Sequence, residues 1–149
     1  LSPAEFGVLR SKNASAVVRI GKSVNAFTDS KMASGSWLDT THGLLWLENR
    51  CEVDMFNLLY QTTTKIPATQ DGVNSTYATL DRSLQAAVQN GLCAPGFLPS
   101  GEFLPNGYRI TAAPLSISPI QNRKYSGLSF EMVGAGALQD VEVNGSFSE

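Results

Sequence analysis

Two stretches of the chain carry apolar residues at three- and four-residue steps, the spacing of helices with one buried face. The first stretch begins after Asp39, Thr40 or Thr41, each of which can cap a helix, and it runs to about Tyr60. Its apolar stripe consists of Leu44, Leu47, Cys51, Met55, Leu58 and Leu59, and it is widened by Trp46 and Phe56. This width predicts that the helix packs on more than one neighbour.

The second helical stretch follows a connector in which Pro67 bars a helix. Thr69 is the predicted cap, and Asn90-Gly91 is the predicted end, because glycine readily adopts the left-handed backbone found after a helix. The predicted buried face consists of Val73, Tyr77, Leu80, Leu84, Ala87 and Val88.

The rest of the chain alternates between short strands and loops. Residues 16–20, AVVRI, form an apolar run typical of a buried strand. Residues 94–107 are dense in Pro and Gly and predict a loop, and Pro114 keeps the extended segment that follows away from a central strand position. The order predicts an α+β fold: a small mixed or antiparallel β-sheet, two main helices packed on one face, and an extended C-terminal strand. We expect residues 1–149 to form a single domain.

The C-terminal stretch, residues 128–149, alternates like two strands separated by glycines. The second of these strands carries the predicted intersubunit residues, which are Val141, Glu142, Val143, Asn144 and Phe147. An open edge strand is an aggregation hazard in a monomer, whereas addition to a neighbour's sheet uses the same edge. The stretch therefore either closes its own sheet or meets a neighbouring subunit. We expect residues 128–133 to pair within the domain and the edge beyond Val141 to meet neighbours.

Charge and hydropathy narrow the class of partner. Eleven Lys and Arg residues oppose thirteen Asp and Glu residues, which gives a formal net charge of −2. A nucleic-acid-binding face needs a clustered basic surplus, and no stretch approaches the roughly 18 apolar residues of a membrane span. We therefore expect neither a nucleic acid nor a membrane as partner.

Few residues are candidates for chemistry. His42 is the only histidine, so a His-based metal site lacks partners, and we expect a polar residue in the first helical turn. Cys51 and Cys93 lie far apart and outside any CxxC spacing, which favours two reduced cysteines over a disulfide. The helical acids interleave with Arg50 and are expected to be solvated; they are Glu48, Glu52 and Asp54. We find no catalytic constellation and expect no enzyme activity, no metal and no cofactor.

Residues 16–23, AVVRIGKS, fit a relaxed nucleotide-binding pattern that ends in Gly-Lys-Ser. That chemistry needs a glycine-rich loop that holds phosphates and opens into a helix. The variable positions instead hold strand-forming or bulky residues, which are Val17, Val18, Arg19 and Ile20. We favour a strand followed by a turn. A nucleotide-binding enzyme is the alternative from a different class, and saturable ATP binding lost in Lys22→Ala would support it.

Several segments, in a fixed order, carry a family resemblance. A helix with Trp46 leads into Lys65-Ile66-Pro67 and Asp71-Gly72, and these precede Asn90-Gly91, Ala94-Pro95-Gly96 and a closing strand pair around Ala135-Gly136-Ala137. The ordered set resembles the C-terminal half of the tail-sheath-like proteins of contractile-tailed phages. The likeness covers nearly the whole chain, and the N-terminal portion of the family is absent from it.

The resemblance implies a structural virion protein, a subunit of the contractile tail sheath that is assembled in the host bacterial cytoplasm. Sheath subunits form hexameric rings stacked around the tail tube, their terminal arms add strands to neighbouring sheets, and the sheath contracts on infection. The implied partners are neighbouring sheath copies and the tail tube protein, and no cofactor is implied. A tube or baseplate component is the alternative within the tail, and an unrelated α+β interaction module is the alternative outside it.

Overall fold

A computed structural model of the chain describes residues 2–21, 23–28, 31–115 and 123–137. Within these ranges the chain forms three helices and six strands. The helices are α1 (Pro3–Ser11), α2 (Leu38–Gln61) and α3 (Gln70–Gln89). The strands are β1 (Ala16–Ile20), β2 (Val24–Thr28), β3 (Gly96–Phe97), β4 (Phe103–Leu104), β5 (Tyr108–Ala112) and β6 (Leu128–Met132).

α1 depends on its capping residues rather than on a buried stripe. The Glu5 N–H donates to Ser2 Oγ at 3.3 Å, and the Ser2 N–H donates back to the Glu5 carboxylate at 2.7 Å. Pro3 fits the first turn, where its missing N–H has no intrahelical acceptor. None of the residues of α1 is buried. The spacing of apolar residues therefore gave no prediction for this helix.

α2 starts earlier than its predicted caps. The N-cap is Trp37, whose side chain makes no capping hydrogen bond. Thr41 Oγ1 donates back to the Trp37 carbonyl at 2.9 Å, and Asp39 and Thr40 also lie inside the helix. Of the predicted stripe, Leu47 is buried, Cys51, Met55 and Leu58 are half-buried, and Leu44 and Leu59 are exposed.

α3 has the predicted bounds, with Thr69 at the N-cap and Asn90 at the C-cap. Gly91 follows with a φ of +73°, and the Leu92 N–H donates to the Ala87 carbonyl at 2.9 Å, so this carbonyl near the helix end has a partner. The predicted face is buried at Val73, Leu80, Leu84 and Ala87 and half-buried at Val88, and Gly72, Thr79 and Ser83 join it. The prediction was wrong for Tyr77, which is 38% exposed.

α2 and α3 pack antiparallel, and the core lies between them. Gly43 contacts Leu92 towards one end, and Asp54 contacts Ser83 further along. Ser83 Oγ donates to the Asp54 carboxylate at 2.8 Å, and Arg50 donates to the same oxygen at 2.7 Å. The fully buried Ser83 hydroxyl therefore has the Asp54 side chain and, at 3.2 Å, the Thr79 carbonyl as acceptors. The buried core cluster consists of Leu47, Leu80, Leu84, Ala87 and Cys93.

The strands form three two-stranded antiparallel sheets within the described ranges: β1–β2, β3–β4 and β5–β6. The β5–β6 sheet packs against the helical core through Tyr108, Ile110, Leu128 and Met132. The mixed α+β class with two long packed helices is confirmed, although its strands are divided among small sheets. β6 pairs with β5 of the same chain, as expected for residues 128–133.

Tyr108 joins the β5–β6 sheet to α3. Its hydroxyl donates to the Asp81 carboxylate at 2.6 Å, and the Gln85 amide donates to the same side chain at 2.7 Å. Burial, together with the hydrogen bond and negative charge of Asp81, raises the pKa of Tyr108 to about 12. The phenol therefore keeps its proton well above neutral pH.

Both cysteines are free, as the sequence predicted. Cys93 is buried in the core, and Cys51 is half-buried on α2. Burial raises the pKa of each thiol, so both behave as protonated, weakly polar core side chains.

Leu84→Asp should destabilise the chain by more than about 4 kcal/mol, because it buries a carboxylate without a partner. Urea denaturation followed by circular dichroism measures the change. Gln89→Asp, at an exposed position of α3 with no acidic residue three or four positions away, is the matched control and should cost about 1 kcal/mol or less. Gln85 is unsuitable as a control, since a carboxylate there would face Asp81. A similar loss of stability in both variants would contradict the assignment of Leu84 to the buried face of α3.

The stability of the chain should fall as the pH rises from about 10 to about 12. An unfolded tyrosine ionises near pH 10, whereas folded Tyr108 keeps its proton to about pH 12, so the folded state binds more protons in this window. Denaturation curves at several pH values measure the slope. Tyr108→Phe should show a flatter dependence because it has no ionisable group, and equal slopes would count against this assignment.

Candidate assembly site

The predicted intersubunit strand lies outside the described residues. Its members, Val141, Glu142, Val143, Asn144 and Phe147, all fall within residues 138–149. The described chain that leads into them ends at Ala137. The surroundings of the residues before this point define where the C-terminal segment starts.

The residues after β6 are held near the end of α3. The Ala135 N–H donates to the Leu92 carbonyl at 2.9 Å, and the Ala94 N–H donates to the Val133 carbonyl at 3.1 Å. Ala137 lines a depression together with residues from the start of α2 and the end of α3. The C-terminal segment therefore leaves from the end of the helix pair where α2 begins.

Two glycines allow the backbone segments to cross closely here. Gly107 has a φ of +76°, and a Cβ on it would lie 2.8 Å from the Ala94 carbonyl carbon. A Cβ on Gly96 would lie 2.8 Å from Val133 Cγ1. The segments around Gly96 and around Ala135, which both carry the family resemblance, therefore lie next to each other in the fold.

The β1–β2 hairpin has open edges and apolar residues on both faces. Val17 is opposite Phe27, and Val18 is opposite Ala26, so successive pairs point to opposite faces. Val17 is 68% exposed and Phe27 58%. The predicted strand is confirmed, but its predicted burial is wrong, because β2 is its only strand partner among the residues described. An isolated two-stranded hairpin is marginally stable in water, which makes this surface a candidate for cover by another chain.

The same hairpin confirms the strand-and-turn interpretation of residues 16–23. Gly21 follows β1 with a φ of +65°, and Ile20 pairs with Val24 across the turn. β1 therefore leads into another strand, whereas a phosphate-binding loop opens into a helix. The nucleotide-binding pattern here has the wrong geometry for its chemistry.

α2 carries a second apolar face that no described element covers. Leu45, Phe56, Leu59 and Tyr60 are between 61% and 78% exposed. Phe56 and Tyr60 stack with ring centroids 5.8 Å apart and an interplanar angle of 12°. α3 packs on the opposite side of α2, so this face is open within the described ranges.

Of the candidates for catalysis or metal binding, Cys51 and Asp54 lie together on α2, where both interact with Ser83. His42 is exposed near the start of α2, and Glu48 and Glu52 are exposed, as expected. Asp54 differs from the prediction, because its side chain is only 17% exposed and binds Arg50 and Ser83. Over the described ranges, no group of three or more His, Cys, Asp and Glu residues could hold a metal ion. None of the helices in these ranges is long and apolar enough to cross a membrane.

Sequence reasoning missed one cationic groove. Lys65, Arg123 and Lys124 line a groove between the end of α2, the start of α3 and the approach to β6. The only signal in the sequence is the Arg123-Lys124 doublet, because Lys65 is distant along the chain. The fold brings the three cations to one surface.

These features define a class of protein, a small α+β unit with open strand edges and uncovered apolar surface, suited to association with other chains. The sequence model of the family described as "E217 tail sheath protein gp31-like, C-terminal domain" matches residues 38–147. The match covers most of the chain, so the chain belongs to this family of phage tail sheath components. A comparison with curated proteins found no match.

Family membership confirms the resemblance seen in the sequence and favours the sheath over the tube or baseplate alternative. The family is structural, and membership implies a place in the phage tail and oligomerisation within the sheath. The matched region starts at Leu38, the first residue of α2, so α1 and the β1–β2 hairpin precede it.

Asp71-Gly72 is another of the sequence marks that carry the family resemblance, and the structure explains why a glycine is needed at position 72. A Cβ on Gly72 would lie 1.9 Å from the Pro67 carbonyl oxygen and 3.0 Å from Ile66 Cγ2. The connector therefore lies directly on the first turn of α3, at a distance that only glycine allows.

Gly72→Ala should destabilise the chain by about 1–3 kcal/mol, because the Pro67 backbone must move to make room for the methyl group. Thermal denaturation measures the change. Gly7→Ala is the matched control, since nothing lies within 4 Å of the added Cβ on α1. The control should be neutral or stabilising by about 0.5–1 kcal/mol, and an equal loss in both variants would contradict the close contact.

Proposed function

We propose that this chain is the part of a contractile sheath subunit that links neighbouring copies by strand addition. Residues 141–147 supply the strand, and a sheet in the neighbouring copy receives it. The proposed assembly is a set of hexameric rings stacked helically around the tail tube protein. The strand links persist while the sheath contracts on infection.

The β1–β2 hairpin is the observation that carries this proposal. It exposes Val17 and Phe27 by 68% and 58%, in a sheet of only two strands. Burial of apolar surface stabilises by about 25 cal/mol per Å². A strand added to an open edge brings side chains that cover such residues, and it gives the unpaired backbone groups hydrogen-bond partners.

The alternation of the C-terminal segment supports its role as donor. Val141, Val143 and Phe147 share one face of an extended chain, and Glu142 and Asn144 share the other. Such a strand can lay its apolar face on a neighbour while its polar face meets water. The glycines before it, Gly134 and Gly136, permit the chain to change direction.

The remaining parts of the proposal concern the assembled particle. Residues 1–149 act as one domain, and the work of contraction comes from the assembled lattice, so no catalysis and no cofactor are needed. The chain is assembled into virions in the host bacterial cytoplasm. Neighbouring sheath copies and the tail tube protein are its partners.

Val143→Pro should leave the monomer folded and prevent polymerisation, because proline removes a backbone N–H from the ladder and fixes an unsuitable φ. Far-UV circular dichroism and melting temperature report on the monomer, and sedimentation velocity with negative-stain electron microscopy reports on assembly. Val143→Thr keeps the N–H and the β-branched shape, so it should assemble like the parent.

Two results would contradict the proposed intersubunit strand. Loss of monomer stability in Val143→Pro, with new sensitivity to protease, would show that the segment closes its own sheet. Normal folding together with normal assembly would show that the segment takes part in neither.

A further inference from the structure

A groove of about 1030 Å³ lies at the end of the helix pair where α2 ends and α3 begins. Leu59 of α2, Ile66 of the connector and Leu128 at the start of β6 form part of its apolar wall. Leu59 is 65% exposed there, so the wall is open to a partner.

The same groove carries three positively charged side chains. Lys65, Arg123 and Lys124 line it and are exposed, and none of its described lining residues is acidic. Among the residues that the structure describes, none of the three cations has an ion-pair or hydrogen-bond partner. Apolar walls with three cations suit an extended segment that is both apolar and acidic.

Residues 138–149 of this chain have that chemistry. Their acidic members are Asp140, Glu142 and Glu149, and they contain no Lys, Arg or His. Their large apolar members are Leu138, Val141, Val143 and Phe147. The segment therefore matches the groove in charge sign, in number of charges and in apolar content.

Distance decides which copy supplies the segment. Ala137 lines a depression with Gly43 and Trp46, towards the opposite end of the helix pair. Leu59 lies thirteen positions after Trp46 on α2, which corresponds to about 20 Å at 1.5 Å per residue. An extended chain covers roughly 3.3 Å per residue, so about six residues would be used in the crossing. Pairing within one chain would therefore hold the segment almost fully extended along the helix pair, whereas a second copy can meet the groove without this constraint.

We propose that the acidic C-terminal segment of a second copy of this chain docks in this groove, with Asp140 and Glu142 facing Lys65 and Lys124. The proposal rests on the self-assembly proposed above and adds a contact for the other face of the segment. Val141, Val143 and Phe147 lie on the neighbour's sheet, while Asp140 and Glu142, which point the other way, meet the groove. The departure point and the groove lie at opposite ends of the helix pair, so the contact is head to tail. A head-to-tail contact repeats from copy to copy and generates a ring or a helix.

Zero-length carbodiimide crosslinking tests the contact directly. Full chains labelled with ¹⁴N and ¹⁵N are mixed in equal amounts, allowed to assemble, crosslinked and digested for mass spectrometry. Links from Lys65 or Lys124 to Asp140 or Glu142 are expected between light and heavy peptides. Links only between peptides of the same isotope would mean that each chain fills its own groove, and this would overturn the proposal.

Charge reversal tests whether the pairing drives assembly. Lys65→Glu with Lys124→Glu, and separately Asp140→Lys with Glu142→Lys, should each raise the concentration needed for half-assembly about tenfold or more. All four changes combined in one chain should restore assembly, since the pairs are then reversed together. Lys12→Glu, on the exposed surface beside α1, is the control and should assemble like the parent.

The outcome separates this inference from the proposed function. If the Lys65→Glu, Lys124→Glu variant assembles like the parent while Val143→Pro does not, the groove proposal is overturned and strand addition stands. The groove proposal would also be overturned if the variant with all four charge reversals is folded, as shown by circular dichroism, but does not recover assembly.

Discussion

The contact between α2 and α3 is the constraint on which the other elements depend. Leu84 is fully buried in it, and Ser83 donates across it to Asp54. The Thr79 carbonyl, the other acceptor of Ser83, lies on α3 itself, so it is the shorter bond to Asp54 that joins the two helices at one register. The β5–β6 sheet is bound to α3 by the hydrogen bond from Tyr108 to Asp81, and the connector between α2 and α3 contacts Gly72 through the Pro67 carbonyl.

The two ends of the α2–α3 pair carry different surfaces. At one end, hydrogen bonds around Leu92 and Ala135 fix the path of the chain towards its C-terminal segment. At the other end, Lys65 and the Arg123-Lys124 doublet surround an open apolar groove. A subunit with unlike ends is suited to polar, repeating assemblies, and this agrees with membership in a tail sheath family.

Much of the apolar surface of the described chain is uncovered. Phe56 and Tyr60 stack on the outer face of α2, and Val17 and Phe27 lie exposed on the hairpin. Large exposed apolar patches are uncommon on monomers and usually mark interaction sites. The open edges of the two-stranded sheets add unpaired backbone groups to the same surfaces. Both features are accounted for if the functional state is an assembly.

The sequence alone determined the two long helices and the family. Apolar spacing and the Asn90-Gly91 stop gave the bounds and most of the buried face of α3, because helical periodicity is a local property. The ordered marks from Trp46 to Ala135 indicated the sheath family for a related reason: close backbone approaches, such as the one at Gly72, restrict which residues fit.

Only the tertiary structure decided burial and the grouping of charges. The AVVRI run predicted a buried strand, yet Val17 is exposed, since burial depends on what covers a strand. Asp54 looked solvated by its helical position, and the approach of Ser83 made it part of the core contact. Lys65 and Lys124 are distant along the chain, so no local pattern could place them on one groove.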